Sequence, residues 1–269
     1  MRLSNIHTHT CFCDGKDTPE EMVQAAAKLG FVSLGFSGHG IWPSFAEAMT
    51  EEGQTEYRAR ILRLKEQYKD KMDILLGVEH EGGQCYDDLQ WDFLIESVHD
   101  LPFEGKFYSI DWELPRTEAV IRDFCGGDAY KLTKTYFEYC AMCYERSPAQ
   151  VAGHVDMITK FNQSGRLFDE TDPRYLGPAL EAVETAVRRG MVVEINTGAM
   201  ARGYRTAPYP GPVLLKRVKE LGGQVMLSSD CHDRHQLTAG YDDAILYLRS
   251  LGFDHTLILT ADGWQEEIL

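Results

Sequence analysis

Basic side chains are scarce in this sequence: 27 Lys and Arg stand against 42 Asp and Glu, a formal charge of -15. A surface so acidic repels the phosphates of nucleic acid and of anionic lipid, and no Lys/Arg-rich run offers a local exception. Neither nucleic acid nor a membrane is therefore an expected partner. Long apolar runs are missing too. No stretch approaches the ~18 apolar residues of a membrane-spanning helix, and the opening MRLSNIHTHT has no apolar signal core, so the expected location is the cytoplasm. A second Cys-x-x-Cys is absent. The seven cysteines, Cys85 among them, are odd in number and irregularly spaced, and Cys140-x-x-Cys143 falls within an expected helix. They read as reduced thiols. No Gly-rich phosphate loop follows the first expected strand, which argues against a nucleotide-binding doubly wound sheet.

What is present is a repeated strand-then-helix rhythm over 269 residues, 43% of them apolar, enough for a large core in one domain spanning 1–269. Strands are expected near 3–7, 31–37, 73–78, 92–98, 150–153, 191–195 and 225–228, with a short apolar run at 256–259. Helices are expected after Thr18-Pro19 (a capping box with Glu21), at 55–69, 129–146, from Asp172-Pro173 to Gly190, at 212–221 and at 241–251. Residues 101–127 read as a long excursion. Strands alternating with helices without a linker predict a parallel sheet; seven of them fit an open doubly wound sheet or a barrel, and the missing phosphate loop favours the α/β barrel.

Histidines and carboxylates fall where these strands end. His7 and His9 end the first, His39 follows the second, Glu79 ends the third, His99 the fourth and His154 the fifth. Glu194 and Asn196 end the sixth, and Asp230 and His232 follow the seventh. In a parallel α/β barrel all these positions share one rim. Six of the nine histidines thus converge. So many imidazoles and acids at one mouth require a compensating cation, and the mixed donor set suits Zn, Fe or Mn. Arg202 and Arg205, after the sixth strand, lie on that same rim.

The segments His-Thr-His-Thr (7–10), Ser-Gly-His-Gly (37–40), Gly-Val-Glu (77–79), Ser-Val-His (97–99), Gly-His-Val-Asp (153–156), Glu-Ile-Asn-Thr-Gly (194–198) and Ser-Asp-Cys-His (229–232) resemble those of the PHP (polymerase and histidinol phosphatase) superfamily. Arg-Gly-Tyr-Arg (202–205) with Pro-Tyr-Pro (208–210) is similar to its histidinol-phosphate phosphatase branch. The resemblance spans residues 3 to 255 and implies a distorted (β/α)7 barrel with two or three divalent metal ions. His7, His9, Glu79 and Asp230 would hold one ion; Glu79, His99 and His154 a second; His39, His232 and Asp14 a third. Where the family has an acidic residue before the second motif's histidine, this chain has Gly38, which weakens the expected third position.

The implied activity is hydrolysis of a small phosphate ester, foremost L-histidinol phosphate, by a hydroxide bridging two metals, with Asp230 or His232 protonating the leaving alkoxide. Arg202, Arg205 and Lys160 are candidates for binding the phosphate, Asp156, Asn162, Glu81 and Glu194 for the substrate's ammonium and imidazole, and Tyr204 and Tyr209 for pocket walls. A phosphoesterase for another ester and a catalytically silent metal-binding module stay open. A barrel amidohydrolase is disfavoured because no lysine ends a strand.

Overall fold

In the computed structural model, which describes residues 1–83 and 89–269, the chain builds its sheet in sequence order. The first half runs β1 (Leu3–Asn5), α1 (Pro19–Leu29), β2 (Phe31–Phe36), α2 (Glu51–Tyr68), β3 (Asp73–Glu81) and β4 (Phe93–Ser97). A separate antiparallel hairpin, β5 (Asp100–Phe103) and β6 (Lys106–Ser109), then precedes α3 (Leu114–Phe124) and α4 (Ala129–Arg146). The chain continues through β7 (Val151–Ala152), α5 (Pro173–Arg188), β8 (Val192–Asn196), α6 (Gly198–Ala201), α7 (Pro212–Glu220), β9 (Val225–Ser228) and α8 (Tyr241–Ser250). It ends on β10 (His255–Thr260) and β11 (Gly263–Ile268).

The main sheet has nine strands in the order β1-β2-β3-β4-β7-β8-β9-β10-β11, parallel throughout except for the final β10–β11 pair. The α/β class and parallel sheet match the expectation. The sheet is not closed as a ladder: its edges are β1 and β11. Beyond the ends of β1 and β9, one parallel bridge, Thr8 to Cys231, links the two, with His9 N donating to Cys231 O at 2.8 Å and Cys231 N to His7 O at 3.1 Å.

Helix starts follow local chemistry. Thr18 caps α1 in a reciprocal capping box with Glu21, and Asp172 caps α5. Thr50 caps α2, which therefore begins before the expected Thr55. The excursion 101–127 is structured as β5, β6 and α3, and β11 adds an edge strand that the sequence reading lacked. Cys85 lies outside the described residues, and the other six cysteines are free thiols. Among the described residues no helix is long and apolar enough to cross a membrane.

Alternation along the strands sorts the core. Ile74, Leu76 and Val78 pack beneath helices, while Leu75 joins Ile6, Phe93, Val151, Val192 and Met226 in a cluster on the other face. Gly77 shares the face of Leu75 and Glu79. A Cβ there would lie 2.3 Å from Phe93 Cζ. Gly77→Ala is therefore expected to cost about 1–3 kcal/mol through overpacking, read as a lower midpoint in urea unfolding with m unchanged.

Candidate metal centre

Strand geometry places the ligand-type residues. His7 and His9 project to one side because successive side chains alternate, while Thr8 turns away and its hydroxyl donates to Gly35 O at 2.6 Å. A further parallel bridge sets His39 beside Glu79, past the end of β2. His99 and His154 each lie two residues beyond β4 and β7, and Asp230 two beyond β9, in the left-handed region with φ 48°. All stand at the carboxyl ends of parallel strands, the edge at which α/β proteins build their sites.

Glu79 is the hub. Its Oε2 lies 3.3 Å from His7 Nε2, 3.4 Å from His9 Nε2 and 3.2 Å from His39 Nδ1. Its Oε1 lies 2.9 Å from His154 Nε2 and 3.5 Å from His99 Nε2. Asp230 Oδ1 approaches His7 Nε2 at 3.7 Å, His9 Nε2 at 3.4 Å and His232 Nδ1 at 3.5 Å. Asp14 Oδ1 is 3.1 Å from His9 Nδ1, and Asp14 Oδ2 is 2.9 Å from His232 Nε2 and 3.6 Å from His39 Nε2. Donor atoms close enough to share one ion occur as His9/Asp14/His39/His232, His7/His9/Asp230, His7/Glu79/His154 and His39/Glu79/His99.

The buried atoms His7 Nε2, His9 Nε2 and Glu79 Oε2 have no hydrogen-bond partner. Leaving such atoms unpaired costs about 1–3 kcal/mol each, and a divalent cation between them would satisfy all three. The residues present fit a metal. Burial alone would depress the His7 imidazole, yet Glu194, Glu79 and Asp230 hold it well above its usual range. Burial opposes the charge on Glu79 also, yet the surrounding imidazoles, His7 first, keep it well below the carboxylate range.

Other carboxylates steer the histidines. Glu194 accepts from His7 Nδ1 at 2.5 Å, Ser228 Oγ at 2.6 Å, His154 N at 2.7 Å and Asn196 Nδ2 at 3.1 Å. Glu81 accepts from His99 Nδ1 at 2.6 Å and from the amides of His99 and Asp100. Each fixes a ring and leaves its far nitrogen facing Glu79, the usual outer arrangement around a metal. Glu81 and Glu194 thus serve the histidines. Asp156 Oδ2 accepts from Gly211 N, and Asn162 ties together the 162–168 turn; neither is among the residues lining the cavity over the centre. Gly38 also has a local reason: a Cβ there would sit 3.1 Å from Cys13 Sγ.

A cavity of about 260 Å³ opens over the centre. Arg202, Lys160, Tyr204 and Tyr209 line it with Asp230 and His232. Arg202 donates to Asp230 Oδ2 at 3.0 Å and Lys160 to Asp111 Oδ2 at 3.1 Å. Arg205 is not in this wall. It makes a two-point pair with Glu170, at 2.8 and 3.1 Å, and lines a separate surface hollow. The sequence reading missed Trp42, Phe45, Asp100, Asp111 and Trp112, which line the cavity from loops and a hairpin end that carry no periodicity or motif.

The fold and the site together define a parallel α/β protein with a histidine–carboxylate centre of metal-binding type at its strand ends. The chain belongs to the PHP domain family, whose model matches residues 5–198. It is 28% identical over 262 residues to a Deinococcus radiodurans protein named "Probable histidinol-phosphatase", covering 93% of this chain and 94% of that one. It is 24% identical over 270 residues to the histidinol-phosphatase of Bacillus subtilis, covering 90% and 98%. Two crystal structures share the fold. One is from Listeria monocytogenes, with TM-score 0.80 and 21% identity over 90% of this chain and 99% of that one. The other is histidinol phosphate phosphatase from Lactococcus lactis, complexed with zinc, L-histidinol and phosphate, with TM-score 0.72 and 20% identity over 98% and 99%.

Proposed function

We propose that this chain is a divalent-metal-dependent phosphomonoesterase whose substrate is L-histidinol phosphate. The observation that carries the reading is Glu79, buried among five imidazoles, with one oxygen and two of the facing ring nitrogens unpaired. The names of the relatives, and the L-histidinol and phosphate in the Lactococcus structure, support the substrate.

His7, His9, Glu79 and Asp230 would hold one ion, Glu79, His99 and His154 a second, and Asp14, His39 and His232 a third, with Zn, Fe or Mn suited to this donor set. Bound divalent ions would supply Lewis acidity toward phosphoryl oxygen and lower the pKa of water at the centre. The chain's own residues do the rest. Arg202 presents a planar donor fork at the cavity wall, suited to two phosphate oxygens, and Lys160 adds a point charge to the same cavity lining. Asp230 is held well below the carboxylate range, burial being outweighed by Arg202 and His7, while burial and His9 lower His232. Asp230 and His232, with Oδ1 and Nδ1 3.5 Å apart in the cavity lining, are the two candidates for proton transfer to the leaving alkoxide. The same reading takes the architecture as a distorted (β/α)7 barrel, supported by the Thr8–Cys231 bridge.

The test measures phosphate release from histidinol phosphate beside a panel of small phosphomonoesters, with metal content determined on the same preparation. A rate about tenfold or more above every other ester, with two or three ions per chain, is expected. A better rate on another ester would replace the substrate. Full metal loading without any hydrolysis would overturn the reading in favour of a metal-binding module.

A further inference from the structure

The cavity is lined by two chemically different groups of residues. One is the histidine–carboxylate centre with Arg202; the other is Trp42, Phe45 and Trp112 with Asp100, Phe45 lying edge-on against His39 at 4.9 Å. Six carboxylates line the whole space: Asp14, Glu79, Glu81, Asp100, Asp111 and Asp230. Five of them have a basic or imidazole side chain within ion-pair distance: histidines for Asp14, Glu79 and Glu81, Lys160 for Asp111, and Arg202 for Asp230. Among the described residues, Asp100 has none. Its Oδ2 accepts from Trp42 Nε1 at 2.7 Å, and the residue is only 5% exposed.

A buried carboxylate held by a neutral donor alone is an uncompensated charge, and a cation arriving through the cavity relieves it. The walls favour the same guest, because aromatic faces attract cations and stack on flat rings. They are braced in place: Trp42 packs edge-on against Phe107 at 4.6 Å, and Phe45 against Trp112 at 6.0 Å. Asp100 opens β5 opposite Ser109 at the end of β6, so the hairpin fixes its backbone as the indole fixes its side chain. Little is left for a ligand to order, which is what a recognition group requires.

We infer that Asp100, held by the Trp42 indole, is a specificity-determining residue that pairs with a positively charged amine on the alcohol half of the phosphate ester. The inference rests on the phosphomonoesterase reading above. Phosphate binds at the histidine–carboxylate centre and the amine is read at Asp100, so the enzyme selects cationic alcohols over neutral ones of the same shape.

The experiment compares histidinol phosphate with its des-amino counterpart, the same ester with hydrogen in place of the amine, on the metal-loaded protein. The parent protein is expected to prefer the amine ester by about tenfold or more in kcat/KM. Asp100→Asn is expected to collapse that preference through a raised KM for the amine ester. Trp42→Phe keeps an aromatic ring and removes the indole donor, so it should lower the preference partway, and it carries the test if Asp100→Asn does not fold. Equal use of both esters by the parent, or an undiminished preference in both variants, overturns the inference. A parent that hydrolyses neither ester overturns the phosphomonoesterase reading itself, so the two failures are told apart by the parent alone.

Discussion

Glu79→Gln is expected to lower phosphate release by at least about 10³-fold and to strip metal from the two positions that share it, the largest effect of any single substitution here. Five imidazoles face this one carboxylate at 2.9 to 3.5 Å. The amide keeps the shape but removes the charge that gathers them, and it turns one acceptor into a donor aimed at ring nitrogens. Two proposed metal positions share Glu79, so its loss would affect both. Metal analysis and turnover on one preparation check the result: a variant that retains its full metal complement and its rate would refute the hub role. The fold should survive, since Gln matches Glu in volume and Leu75 and Gly77 carry the packing below it.

The second large effect is on stability. Adding Zn²⁺ or Mn²⁺ to demetallated protein at about a hundredfold excess over its dissociation constant should raise Tm by about 5–10 °C, since about 2.7 kcal/mol of linkage acts on a chain of this size. The gain should grow with pH. Carboxylates hold His7 and His9 well above the ordinary imidazole value, and His99 is pushed up to about 10, burial being outweighed by Glu81 and Glu79. The stability each such imidazole contributes is complete below its ordinary value and lost as pH rises through the raised one. A divalent ion needs these rings neutral and competes with their protons. A larger thermal shift at pH 8 than at pH 6.5 is the expected outcome; no shift at either pH would refute a metal centre.

The sequence showed the rim more clearly than the walls. His7, His9, His39, Glu79, His99, His154 and Asp230 are legible because each sits at or just beyond a strand whose apolar run is plain, and parallel strands deliver their ends to one side. The capped helix starts at Thr18 and Asp172 were legible for the same local reason. The hairpin β5–β6 was not. It turns at Glu104-Gly105, both left-handed, where a tight hairpin turn usually announces itself with Asn-Gly or Asp-Gly. Helix α3 starts at Glu113, which makes no side-chain cap hydrogen bond. Asp100 and Asp111 depend on that hairpin for their place in the cavity and share its obscurity. Arg205 shows the opposite limit: its loop reaches the correct rim, but Glu170, from a different loop, turns it away from the cavity.

The bridge between Thr8 and Cys231 and the contact of His232 with Asp14, 218 residues away, have a consequence for biogenesis. His7, His9 and Asp14 leave the ribosome long before Asp230 and His232, the partners that follow β9. A nascent chain halted before Asp230 holds an open, half-built centre, and contacts of such long sequence separation form slowly. A chain truncated before residue 230 is therefore expected to lose the proposed positions that need Asp230 and His232, while Glu79, His99 and His154 remain for the other.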